Sequence, residues 1–278
     1  MSKTPFSAQQ VAQWNEDGYL LIPQLFSSEE IDLLLKIAKS DKELIGRAAG
    51  RKDTQGGVSK LSLRNDLYDD TYSAFVRCHR VVNRIEQLLE DEVYHFHHKM
   101  MLKEPYVGGA WEWHQDYGYW YANSACLYPD MGSCLIAIDR ATKDNGCLQV
   151  LRGSHKIGRI NHGAVAGQAG AEMERVDAAM KHHELVHCAM EPGTALFFHA
   201  NTLHRSDQNK SPNSRWSLIG CYNTKHNDPI KDVPTGHPHY SPMERWDDSR
   251  VLETAKREWA MKQRTGVAGV AGVAGGAA

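Results

Sequence analysis

The chain has 278 residues, 41% of them hydrophobic and 24% charged, with a formal net charge of −2. That composition suits a soluble globular protein long enough to bury a core without disulfides or structural metal. The near-zero charge gives no reason to expect nucleic acid or an anionic membrane as partner, and no apolar run of about eighteen residues exists to span a bilayer.

Ser7 opens a short helix over residues 8–17 that stops at Gly18, and residues 19–23 read as a strand. Ser27 and Glu30 form a capping box before an amphipathic helix over 31–38. Residues 46–60, rich in glycine and charge, read as a loop. A second long helix is expected over 71–90, where Phe75, Val76, Val82, Ile85, Leu88 and Leu89 recur near helical spacing. From Val93 the texture changes to short strands, at 93–102, 133–139, 147–151, 194–198 and 215–222, with Asn145-Gly146 as a hairpin turn. Helices first and strands afterwards indicate an α+β chain with a β-sandwich or barrel core.

Residues 156–190 read as a long insertion between strands and a candidate substrate cover. The Gly-Val-Ala repeats of 265–278 read as a disordered low-complexity tail, leaving 1–264 as a single domain. The six cysteines are scattered without a CxxC pair, and the opening residues lack an apolar signal-peptide core. Free thiols in a cytoplasmic protein are therefore expected.

The chemistry concentrates in Trp111-Glu-Trp-His-Gln-Asp-Tyr-Gly-Tyr-Trp-Tyr121, which sets His114 and Asp116 two residues apart in a strand-like context. Residues i and i+2 of a strand share a face, so imidazole and carboxylate converge. They supply two of the three ligands in the facial triad that holds non-haem Fe(II) with open positions. A lone HxD is weak evidence among fifteen histidines, and His226-Asn-Asp228 is a second one. The residues after that pair, up to His239, hold several prolines and no strand, and read as surface loop. Downstream of the first pair, an apolar strand leads from Gly193 to His204, and Arg215 opens the next strand beyond a polar turn. That hairpin can return Arg215 to the metal site, where its rigid fork suits the far carboxylate of a keto diacid. His95 and His97 alternate on one strand, but without a third ligand they read as satisfied or exposed histidines.

Taken together and in order, Trp113-His114-Gln-Asp116 with Trp120, Asn145-Gly146-Cys-Leu148, Gly153-Ser154-His155, His204 and Arg215-x-Ser217 resemble the phytanoyl-CoA dioxygenase (PhyH) family. The nearest motifs are those of its ectoine and free-proline hydroxylase branches. The resemblance covers roughly residues 18–222 and implies a double-stranded β-helix (jelly roll, cupin-like) core with supporting N-terminal helices. It further implies Fe(II) held by His114, Asp116 and His204, with 2-oxoglutarate and O2 as cosubstrates. By position, Arg215 would hold the distal carboxylate of 2-oxoglutarate, with Ser133 and Ser217 as hydroxyl donors and Lys99 as a polar contact. The proline and ectoine enzymes tend to carry asparagine where Met101 stands here. Related halogenases replace the carboxylate ligand by a small residue, so Asp116 favours hydroxylation.

The implied reaction is hydroxylation of an unactivated C–H of a small polar metabolite, with release of succinate and CO2. An amino acid, a compatible solute or an aminophosphonate such as 2-aminoethylphosphonate would fit. Trp120, Tyr117, Tyr106, Arg205 and Asn223 are the expected substrate contacts, in a monomer or homodimer. Two alternatives are a tailoring oxygenase for a larger or carrier- or CoA-bound substrate, and a cupin-like metal-binding protein without oxygenase chemistry.

Overall fold

The computed structural model describes residues 5–232 and 236–271. In chain order the elements are α1 (Ala8–Asp17), β1 (Tyr19–Ile22), α2 (Ser28–Ser40), α3 (Lys42–Arg47), β2 (Ala49–Lys52) and β3 (Val58–Arg64). Next come α4 (Thr71–Arg77), α5 (His79–Leu89), β4 (Val93–Lys103), β5 (Trp111–His114), α6 (Asp116–Asn123), β6 (Met131–Ala137) and β7 (Leu148–Leu151). The chain continues through β8 (His162–Val165), β9 (Gln168–Ala171), α7 (Met173–Met180), β10 (Leu185–Cys188), β11 (Ala195–His199), β12 (His204–Ser206), β13 (Arg215–Thr224) and α8 (Ser249–Ala271).

A seven-stranded sheet in the order β1-β11-β6-β13-β4-β3-β2 faces a four-stranded sheet in the order β10-β7-β12-β5. This is the expected α+β, double-stranded β-helix arrangement. Alternation along the strands sorts side chains between two interiors. Met100, Leu102, Cys134, Ile136, Phe197 and Leu218 point outward into one apolar cluster with helices α2, α4, α5 and α8. Met101, Leu135, Phe198, Ile219 and Cys221 point inward, between the sheets, with Val150 and Cys188 of the smaller sheet. β4 is therefore covered on both faces, and its inward lysines lie in the interior that holds the site.

Three expectations are corrected. The helix expected over 71–90 is two helices, broken at an extended Cys78. Its flanking backbone groups are taken by a distant strap: Trp246 N–H donates to the Arg77 carbonyl and His79 N–H to the Trp246 carbonyl, both at 3.0 Å. Residues 46–60 are not a loop, since α3 runs into the β2–β3 edge hairpin. The Asn145-Gly146 turn is real but makes no hairpin. β6 pairs with β11 and β13, while β7 pairs with β10 and β12, so the turn carries the chain from one sheet to the other. Gly146 has φ +75°, and a Cβ there would lie 2.2 Å from the Asp207 carbonyl oxygen, so glycine is required. The last element, α8, ends at Ala271, and the remainder of the expected tail, 272–278, lies outside the described residues.

The insertion at 156–190 holds the β8–β9 hairpin, α7 and β10, which joins the smaller sheet. All six cysteines are buried free thiols. No helix among the described residues is long and apolar enough to cross a membrane.

One buried ion pair ties the helical layer together. Glu30, in the first turn of α2, caps Ser27 and also pairs with Arg80 of α5, both side chains being 7% exposed. Removing one partner leaves the other charge buried, which is costly. Glu30→Ala is expected to lower the free energy of unfolding by about 3 kcal/mol, read as a shift in the urea midpoint at unchanged slope.

Candidate active site

His114 ends β5 and Asp116 begins α6, so the expectation that both lie on a strand is half corrected. The i/i+2 relation survives because Gln115 between them is extended (φ −106°, ψ 129°). Gln115 is held firmly: its backbone N–H donates to His162 Nε2 at 2.9 Å and its amide to the Asn201 carbonyl at 3.0 Å. Its side-chain oxygen accepts from Ile160 N–H at 2.8 Å. His204 on β12 is the cross-strand partner of His114. Their ring centroids are 4.0 Å apart.

One donor atom from each of His114, Asp116 and His204 lies within 4.8 Å of the others. Among the described residues they form the only such cluster, so His226-Asn-Asp228 supplies none. Nδ1 of His114 donates to the Glu112 carbonyl at 2.7 Å, and Nδ1 of His204 to the Thr202 carbonyl at 2.9 Å. Each bond fixes the tautomer and leaves the Nε2 lone pair for a metal. Burial, with His114 alongside, pushes His204 down to about 3, so it is neutral and able to ligate. Burial alone would raise the Asp116 carboxyl, but the Lys99 ammonium and the two imidazoles hold it far below the usual range. The donor set of two imidazoles with free Nε2 positions and one buried carboxylate fits a divalent metal with open positions.

Deeper in the same interior, β13 aligns Arg215 opposite Lys103 and Ser217 opposite Met101. Arg215 is buried, contacts Ser217 Oγ at 3.4 Å, and its Nε has no partner. Burial lowers it to about 10, so it stays charged at neutral pH. Lys103 donates to Ser206 Oγ at 2.9 Å. Ser206 is two residues beyond His204 on the same face of β12, so Lys103, and Arg215 opposite it, are tied to the strand that carries His204. Ser133 Oγ lies 3.5 Å from Asp116 Oδ2, so it steadies the ligand carboxylate instead of reaching toward Arg215.

A cavity of about 700 Å³ opens onto His114 and Asp116, and Lys99 and Trp120 are among its lining residues. The β8–β9 hairpin forms one wall, through His162, Gly163, Ala164, Gln168 and Ala169, consistent with a covering role.

Four expected substrate contacts are elsewhere. Tyr106 lies in the β4–β5 connection at φ +59° and is 68% exposed, away from the cavity. Arg205 follows His204 on β12 and so takes the opposite face, paired with Asp207 and 5.6 Å over the Trp113 ring. Tyr117 points its hydroxyl to the Leu127 carbonyl at 2.5 Å. Asn223 is spent internally, donating to Tyr94 Oη at 2.9 Å and the Asn227 carbonyl at 2.8 Å. The sequence reading also missed cavity walls: Arg51 on the edge hairpin, His97, His162 and His237. A register shift in β4 between His95 and His97 breaks their alternation. His95 bonds His98 at 3.0 Å, while His97 faces the cavity. His226 and His239 are exposed and ion-paired as a surface loop predicts, but His237 beside them turns inward.

The model described as phytanoyl-CoA dioxygenase (PhyH) matches residues 14–217. The chain belongs to the PhyH family. Among curated relatives, an L-proline trans-4-hydroxylase of Streptomyces griseoviridis is 26% identical over 236 residues, covering 80% of this chain and 88% of that protein. An ectoine dioxygenase of Stutzerimonas stutzeri is 25% identical, covering 80% and 78%. The apo crystal structure of EctD from S. alaskensis matches with TM-score 0.71 and 23% identity, over 87% of this chain and 88% of that one, and shows the same fold.

Gly118 is a sensitive point behind this PhyH site, because a Cβ there would lie 2.0 Å from the His162 ring. Gly118→Ala must displace His162 and with it the Gln115 anchor between two ligands. It is expected to weaken Fe(II) affinity roughly tenfold, and Asp116→Ala to abolish measurable binding, with circular dichroism unchanged in both. Calorimetric titration of Fe(II) under argon checks both.

Proposed function

We propose that the protein is an Fe(II)- and 2-oxoglutarate-dependent dioxygenase that hydroxylates a C–H bond of a small polar metabolite. The observation that carries this reading is the coexistence, in one interior, of the tautomer-locked His114–Asp116–His204 cluster and the buried, incompletely paired Arg215. A metal-binding protein without a keto-acid cosubstrate has no use for a charged guanidinium sealed in the interior beside its metal cluster. Membership of a family whose relatives include proline and ectoine hydroxylases supports the same reading.

His114, Asp116 and His204 would hold the metal. Bound together there, iron and the keto acid supply oxidative decarboxylation to succinate and CO2 coupled to hydroxylation. The protein's own contribution is placement and exclusion. Arg215, with Ser217 beside it, offers a fork to the far carboxylate. Lys99 places its charge beside Asp116 at the cavity end, facing a carboxylate bound near the metal. Ser133 steadies Asp116. Trp120, 3% exposed and packed edge-on to Phe96, gives the cavity a rigid apolar wall against which a substrate C–H can rest. The β8–β9 hairpin covers the site against bulk water. Six buried thiols suit a reducing cytoplasm as its location.

The reading predicts protein-dependent conversion of 2-oxoglutarate to succinate that requires Fe(II). Arg215→Ala is expected to raise the half-saturating 2-oxoglutarate concentration roughly a hundredfold while leaving Fe(II) affinity nearly unchanged. An unaltered 2-oxoglutarate requirement would remove Arg215 from the site.

A further inference from the structure

The cavity is lopsided in charge. Among its lining residues the only carboxylate is Asp116, which is spoken for by the metal, whereas Arg51, Lys99 and a group of imidazoles stand on the other walls. A cationic group entering here would find Lys99 and no free counter-charge. An anionic group would meet Arg51 and the imidazoles and no free carboxylate.

The imidazoles differ in what they can offer. His162 is fully engaged, accepting from Gln115 N–H at 2.9 Å and donating to the Ile160 carbonyl at 2.8 Å. His97 is not: it is 2% exposed and its Nδ1 has no hydrogen-bond partner, a costly condition for a buried polar atom unless a ligand or reorientation relieves it. His237 stacks on Phe96 at 4.5 Å between centroids and lies 5.2 Å from the His97 ring. Its Nδ1 is 2.6 Å from Ser124 Oγ. In the tautomer where the Ser124 hydroxyl donates to that nitrogen, the other ring nitrogen carries the proton and is a donor. Trp120 braces the pair, its ring 5.6 Å from His97 and 5.4 Å from Phe96. Burial and the nearby Lys99 ammonium keep both imidazoles neutral, so each has one N–H to give.

We propose that His97 and His237, in the field of Lys99, form a receptor for the oxyanion head group of the substrate, a carboxylate or phosphonate. The substrate is then a small organic acid whose reacting carbon lies along Trp120, between this corner and the metal. This rests on the oxygenase reading above and adds the substrate class to it. His237 lies beyond residues 14–217 matched by the family model, so this half of the receptor belongs to the chain's own C-terminal segment.

The test uses the full-length protein with Fe(II) and 2-oxoglutarate under argon, where the visible band of the chelated keto acid first verifies the oxygenase site. Calorimetric titrations of that sample then compare ethylphosphonate, propionate and ethylammonium. The proposal expects ethylphosphonate or propionate to bind at least tenfold more tightly than ethylammonium, and the stronger of the two identifies the head group. His237→Phe keeps the stack on Phe96 but removes the donor. It is expected to weaken the preferred anion about tenfold or more, with the 2-oxoglutarate requirement unchanged. His97→Gln, on a strand instead of the C-terminal segment, tests the same receptor should His237→Phe disturb its surroundings. Ethylammonium binding as well as either anion, or both variants binding anion like the parent, would overturn the proposal even with the band intact. A missing band would instead indict the oxygenase reading.

Discussion

A carboxylate that must stay ionised while almost wholly buried governs this molecule. Asp116 is buried beside two imidazoles, and an unpaired charge in such a place would take up a proton or destabilise the fold. Lys99 on β4 supplies the nearest compensating charge, and a metal dication would supply the rest. Everything around the site serves to hold that arrangement. Backbone carbonyls of Glu112 and Thr202 lock the histidines, Gln115 pins the strand-to-helix junction, and Gly118 leaves room for the His162 ring that anchors Gln115. The outer helices take no part in the chemistry, but they bury the outward face of the large sheet and so let its inward face carry lysine, arginine and histidine.

That division explains a feature of the strands. β4 and β13 are buried along nearly their whole length, yet they alternate between apolar and polar residues. In a sheet with one wet face the polar residues would meet solvent. Here they meet a chemical interior, and Lys99, Lys103, Arg215 and Ser217 are placed there by the same two-residue period that sends Met100, Leu102, Trp216 and Leu218 to the helices.

The clustering of His114, Asp116 and His204 and the interior place of Arg215 were legible in the sequence because the chemistry restricts both residue type and spacing. His114 and Asp116 flank one extended residue, and a polar turn separates His204 from Arg215. Helix α1 and the capping box of α2 were legible because their signals are local. What could not be read depends on distant partners or on facing. The break at Cys78 is made by Trp246, far along the chain. The exclusion of Arg205 follows from which face of β12 His204 occupies, and the separation of His95 from His97 follows from a bulge no local signal marks. Tyr106 and Asn223 were of a suitable type near suitable motifs, and neither property fixes where a side chain points. His237 was hidden for the converse reason: its proline-rich surroundings correctly signal a loop, but nothing in them signals that the loop folds back over Phe96.

The central claim is that His114, Asp116 and His204 hold a metal to which a keto acid anchored by Arg215 can chelate. The most direct measurement is an anaerobic titration of the metal-free protein with Fe(II) and then 2-oxoglutarate, followed by visible absorbance. The account predicts a weak charge-transfer band that needs both components and disappears in His204→Ala. A folded, iron-loaded protein that shows no band on adding 2-oxoglutarate would contradict it.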